Sequence, residues 1–253
     1  MRTRFGLLMA VMAAVAALAL PAESRQQAAQ AGPIRVLFLI GGASHDWEGM
    51  SAVLVRILEA SGDFRVTLTG DRDYLAPEKV KDFDTLLFFT QGGELSEAQR
   101  KGLLGFVKRG GGFVGLHSAT ATFKTSDDYW ELVGGRFTTH SFREFEVKCE
   151  DPSHPVTRVF SSFRVTDEDY HHTFKPGVVL QVLATREGDP TMWTRQYGRG
   201  RVIINTLGHD ARAWNNRVFQ TLAFRSVYWA AGREPKPMPA GLFRAEAAKN
   251  QGS

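Results

Sequence analysis

Residues 111–123, GGFVGLHSATATF, decide the fold. Glycines lead into Phe113, Val114 and Leu116, and the apolar run ends on His117 before a string of small residues. A short apolar run bounded by glycine reads as a buried strand, so the imidazole stands where that strand leaves the core. Just upstream, Ser96 and Gln99 have the spacing of a helix capping box ahead of Leu103, Leu104, Phe106 and Val107, and the helix stops at Gly110–Gly112. Two further apolar runs, FRVTLTG (64–70) and DTLLFFT (84–90), read as strands. IRVLFLI (34–40) reads as another, closed by Gly41 and Gly42, and Met50, Val53, Leu54, Ile57 and Leu58 follow at helical spacing. This βαβα alternation predicts an α/β fold with a mostly parallel central sheet and helices on both faces. Downstream, REFEVKCE (143–150), SSFRVTDEDY (161–170), VVLQVLA (178–184), TMWTRQY (191–197) and RVIINTL (201–207) read as strands with few helices between them. A last helix carries Val218, Phe219, Leu222 and Trp229 and is stopped by Gly232 and Pro235.

The N-terminus is read apart from the fold. Arg2 and Arg4 precede an uncharged run from Phe5 to Leu20, and Ala17 and Ala19 form a small-residue cleavage pattern. Residues 1–31 are therefore expected to be a secretory signal peptide and flexible lead-in, residues 32–233 a single domain, and residues 234–253 a loose tail. The run is short of the roughly 20 apolar residues that span a bilayer, so no stable membrane span is expected after signal removal. The product is expected to be exported, periplasmic or extracellular. Removing residues 1–31 lowers the basic residues from 31 to 28 and the acidic ones from 27 to 26, a net charge of about +2. So small and interspersed a charge argues against a nucleic-acid or anionic-membrane partner. Cys149 is the one cysteine. It can form no internal disulfide, and stability must come from a hydrophobic core.

In open α/β sheets, ligands bind beyond the carboxyl ends of the strands, where loops converge. Three histidines stand at such ends: His45 after VLFLIGGAS, His117 after GGFVGL, and His209 after RVIINTLG. One alone reads as a hydrogen-bonded loop histidine; the three on one rim point to a shared site.

Six motifs in order then resemble a known family: SHD (44–46), GGGFVGLHSA (110–119), YWELVGGRFTTH (129–140), DPSHPVT (151–157), DEDYH (167–171) and YGRGRVIINTLGHD (197–210). Together they are similar to the ThuA-like (trehalose utilisation) family of the class I glutamine amidotransferase-like superfamily, which implies a flavodoxin-like fold and a carbohydrate ligand. In amidotransferases of that superfamily the segment matching GLHSA exposes a nucleophilic cysteine. Here the position reads His117 or Ser118, and Cys149 lies inside an alternating segment, so glutamine amidotransferase chemistry is not expected. Serine hydrolysis at Ser118 lacks the G-x-S-x-G pattern.

Neutral imidazoles with carboxylates suit a divalent metal, zinc first, or acid–base work. The expected ligands are His45, His117, His140 and His209, with Glu168, His117 and His45 as catalytic groups. No compact i, i+4 zinc spacing supports this set by itself. Ser118, Asp46, Trp47, His140 and His171 are the substrate-binding candidates, Trp47 as a stacking surface. Asp46 alternatively caps the first helix. His154 before Pro155 reads as a turn residue, and at most one of His171 and His172 can line a pocket, because strand neighbours point to opposite faces. The expected activity is metal- or His/Glu-assisted hydrolysis or elimination on a carbohydrate or keto-glycoside. The alternative is a non-catalytic carbohydrate-binding module.

Overall fold

The structure, a computed structural model, describes residues 32–241, 243 and 244. The signal-peptide expectation for residues 1–31 lies outside the described residues. Among the described residues, no helix is long and apolar enough to cross a membrane.

Five strands run parallel in the middle and along one edge of a single nine-stranded sheet: β1 (Ile34–Gly41), β2 (Phe64–Thr69), β3 (Thr85–Thr90), β4 (Gly112–Leu116) and β9 (Gly200–Asn205), in the order β2-β1-β3-β4-β9. The expected parallel neighbours are present: β1 lies beside β3, and β3 beside β4. Beyond β9 the sheet continues through β8 (Asp189–Tyr197), β7 (Gln181–Arg186), β5 (Gly135–Cys149) and β6 (Ser162–Phe174).

Here the expectation of a mostly parallel sheet is corrected. Of the eight neighbour pairings, four are parallel and four antiparallel. For two of the four antiparallel pairings the physical reason is connection length. Two-residue turns at Glu187–Gly188 and Gly198–Arg199 join β7 to β8 and β8 to β9. So short a link can join only antiparallel neighbours, whereas parallel strands need a crossover of a dozen residues or more.

Helices cover both faces. On one side lie α1 (Trp47–Ala60) and, later in the chain, α6 (Arg217–Ala230). They bury Val53, Leu54 and Ile57 with Phe219, Leu222 and Phe224 against Val36, Phe38, Leu87 and Val114. On the other side α3 (Glu97–Lys108) and α4 (Asp127–Val133) bury Leu103, Val107, Tyr129 and Leu132 against Leu37, Leu86, Phe88 and Phe113. β3 and β4 are buried along their whole length. This explains why their sequences read as unbroken apolar runs instead of alternating ones. Ser96 caps α3 with the expected box, its side chain accepting from Gln99 N–H while the Gln99 side chain accepts from Ser96 N–H. Short helices α2 (Pro77–Val80) and α5 (Ala211–Trp214) complete the set, with 3₁₀ turns at Arg72–Leu75 and His117–Ala121.

The described part of the segment after residue 233 lies against the domain. Lys236 pairs with Asp63 at 2.7 Å, Arg217 donates to the Pro239 and Gly241 carbonyls, and Met238 and Phe243 both pack on the core.

Candidate metal centre

The carboxyl ends of β1, β4 and β9 open onto one rim, and each is followed by a histidine. After β1 the chain turns at Gly41 and Gly42, with φ of +129° and +144°, values that side-chain-bearing residues rarely adopt. A Cβ on Gly42 would meet the Trp47 ring at 2.8 Å. That ring is fixed by its Nε1–H, which donates to the Gly42 carbonyl at 3.0 Å, and its centroid stands 4.6 Å from that of His45. Asp46 caps α1, accepting from Gly49 N–H at 3.0 Å.

His117 is fully buried and has φ of +45°, one of three non-glycine residues with positive φ among the described residues. It is thus a strained residue of the strand-to-turn elbow, within the segment where the superfamily resemblance implies a cysteine. Its Nδ1 lies 3.0 Å from the Thr206 carbonyl, which can only accept. The proton therefore resides on Nδ1, and in the neutral ring Nε2 presents a bare lone pair inward. Ser118, next in the chain, buries its Oγ without a hydrogen-bond partner. Cys149 sits on β5 with its Sγ 3.8 Å from the Thr157 carbonyl, and burial raises its pKa, so it is no activated thiol.

His209 follows β9 and is held by its backbone. Asp167, buried on β6, accepts from Gly208 N–H at 2.7 Å and from His209 N–H at 3.0 Å. Burial pushes the Asp167 carboxyl above its ordinary range. Its neighbour Glu168 reaches the rim from the antiparallel half of the sheet.

Four inward atoms converge. His45 Nε2 lies 3.0 Å from His117 Nε2 and 3.2 Å from His209 Nδ1. Glu168 Oε2 lies 3.3 Å from His117 Nε2 and 3.2 Å from His209 Nδ1. All of these ligand atoms fall within 4.8 Å of one another. Nitrogen and oxygen donors at 2.0–2.1 Å from a tetrahedral zinc are separated by about 3.3 Å, which four of the six separations match closely. The electrostatics suit a cation as well. Burial, reinforced by the charges of His117 and His209, pushes the His45 pKa down to about 3, so its ring is neutral at ordinary pH. Burial opposes the Glu168 charge, but its close contacts with the His117 and His209 rings outweigh it and hold its carboxyl well below the usual carboxylate range. The same contact raises the pKa of His209 despite burial, so a metal would displace a proton there.

The donor group differs from the four histidines read from the sequence. Glu168 takes the fourth place and His140 stands behind it, half-exposed, with Nε2 3.2 Å from Glu168 Oε1. His171 turns away from the group toward Asp189, at 3.3 Å, and Arg186. His172 lies on the opposite strand face, with Nε2 3.1 Å from Thr120 Oγ1. His154 is far from the rim and packs on Trp229, its Nδ1 accepting from Val156 N–H.

Three contributors were assigned no role from the sequence. Asp167 clamps the 208–209 loop, Tyr170 lays its ring 4.3 Å from that of His117, and Phe142 stands 6.0 Å from the His209 ring. Their signal was the alternation of β5 and β6, in which His140 faces Tyr170 and Phe142 faces Glu168. That register becomes visible only once the two strands are paired.

A family model described as ThuA, trehalose utilisation, matches residues 35–230. A ThuA-like protein from Parabacteroides merdae superposes with a TM-score of 0.73 at 22% identity, over 85% of this chain and 96% of that one. One from Bacteroides uniformis gives 0.61 at 22% identity, over 78% and 93%. A GMP synthase component from Thermoplasma acidophilum gives 0.52 at 8% identity, over 79% and 94%. At these identities the likeness is one of fold. A comparison with curated protein sequences returns no match. The matched span runs from the second residue of β1 to the end of α6 and includes every residue of the donor group, and the chain belongs to the ThuA family.

Proposed function

We propose that this chain is an exported, metal-dependent enzyme that acts on a carbohydrate or keto-glycoside by hydrolysis or elimination. The observation that carries the reading is the convergence of His45, His117, His209 and Glu168 at the carboxyl rim of the parallel strands. The family's description, trehalose utilisation, motivates the sugar, and the basic residues and apolar run before Pro21 motivate export.

A divalent cation, zinc first, would supply Lewis acidity toward a substrate carbonyl or hydroxyl oxygen. His45, His117 and His209 would hold it with Glu168 Oε2. The remaining chemistry belongs to the chain. His117, anchored through Nδ1 to Thr206, keeps Nε2 aimed at the rim. Glu168 stays ionised, and its Oε1, paired with His140 Nε2, is the atom placed to take a proton from substrate. His140 links that oxygen to solvent. The strained elbow offers no thiol, so acyl transfer from glutamine has no nucleophile.

Elemental analysis of purified protein, beside turnover and binding screens of glycosides and their keto forms, tests this. Stoichiometric metal and turnover that E168Q abolishes while retaining ligand support the enzyme. Ligand binding without turnover in the metal-loaded wild type would establish a binding module instead.

A further inference from the structure

We propose that Phe142 is the platform on which the ring of a pyranose substrate stacks. This rests on the carbohydrate reading above.

The pairing of β5 with β6 sets His140 opposite Tyr170 and Phe142 opposite Glu168. Residues directly opposite on antiparallel strands share one face of the sheet. Phe142 therefore projects on the same side as Glu168, beside the donor group. Its ring lies 6.0 Å from that of His209, yet the residue is 43% exposed. The other large exposed hydrophobics among the described residues are Leu68, Val159 and Val179, none aromatic. Phe142 is also held in place: the Arg212 guanidinium stands 4.2 Å from its ring centroid and is itself fixed by Asp210. An aromatic ring braced on one side, open to solvent and bordering a metal-ligand histidine adds little to the core. It offers a flat π face, negative at its centre, to the positive C–H hydrogens of a ligand. A glucopyranose presents such hydrogens together on one flat face, with hydroxyls at the perimeter for the polar rim formed by His140 and Asp210. A protein partner is disfavoured, because those neighbours leave no contiguous apolar patch.

The test uses the zinc-loaded full chain and calorimetric titration with methyl β-D-glucopyranoside and its keto form, with sorbitol as a polyol that lacks a rigid ring face. Phe142→Ala should weaken glucoside binding about tenfold, leave zinc content and melting temperature unchanged, and leave sorbitol unaffected. Phe142→Trp should bind at least as tightly as the wild type. Equal glucoside affinity in wild type and F142A overturns the platform while the carbohydrate reading stands. A zinc-loaded wild type that binds neither form of the glucoside overturns both.

Discussion

The two halves of the sheet are built on different principles. Strands β1, β3, β4 and β9 are parallel, flanked by helices on both faces and buried almost throughout. The hairpin of β5 and β6 is 15 and 13 residues long, and much of β5 faces solvent. The parallel half supplies three imidazoles at strand ends that the core holds in place. The hairpin supplies the carboxylate, the half-exposed His140 and the exposed Phe142. Rigidity and access are thus divided between the halves, and the donor group sits on the seam.

The largest effect that would break this comparison is a core truncation. Phe88→Ala, in the fully buried β3, should cost about 3–5 kcal/mol of stability, whereas Phe142→Ala in the hairpin should stay within about 0.5 kcal/mol. Denaturant titration of the two metal-free variants measures the contrast, and similar losses would erase it.

Next come the donors, which sharpen the division. His117→Ala should weaken zinc binding by at least about a hundredfold, and should also cost the metal-free protein about 1–3 kcal/mol, because the Thr206 carbonyl loses its buried donor. Glu168→Gln should weaken zinc comparably and lower the metal-free melting temperature less than H117A does, because the amide can still hydrogen-bond the neighbouring histidines. Competitive zinc titration paired with thermal melts reads both quantities. A melting-temperature loss in E168Q as large as in H117A would show that the hairpin donor is part of the core.

Asp167 joins the halves and should show an intermediate effect. The Gly208 and His209 N–H groups reach different oxygens of Asp167 and an amide has only one acceptor oxygen, so Asp167→Asn should loosen the Gly208–His209 loop and weaken zinc about 10–100-fold. Unchanged affinity would remove Asp167 from the positioning role.

The smallest effect is a pH dependence away from the rim. Burial lowers the pKa of His154 below its ordinary 6.5. The folded state therefore favours the neutral ring. The unfolded chain binds the extra proton first, and stability falls as pH drops below 6.5. Melts of metal-free protein between pH 7.5 and 5.5 should show a shallower decline in His154→Asn, which keeps an acceptor for Val156 N–H but cannot ionise. An identical slope in both proteins would place the pH sensitivity elsewhere.

By itself the sequence determined the parallel half. Its strands and helices carry their own periodicity, as in the apolar runs at 34–40 and 113–116 and the spacing from Met50 to Leu58. A histidine that follows such a run must emerge at a strand end, so His45, His117 and His209 were legible one by one. The resemblance added the fold and the family. Tertiary structure alone decided the fourth donor. Glu168 was legible as a candidate acid or base, but its place in the converging group depends on the register of β5 against β6, a pairing that no local pattern encodes. The same register put His140 behind the carboxylate and turned His171 to the far face toward Asp189. It also left Phe142 exposed beside His209. Strand ends are local properties of a chain, whereas the distance between two side chains on different strands belongs to the folded sheet.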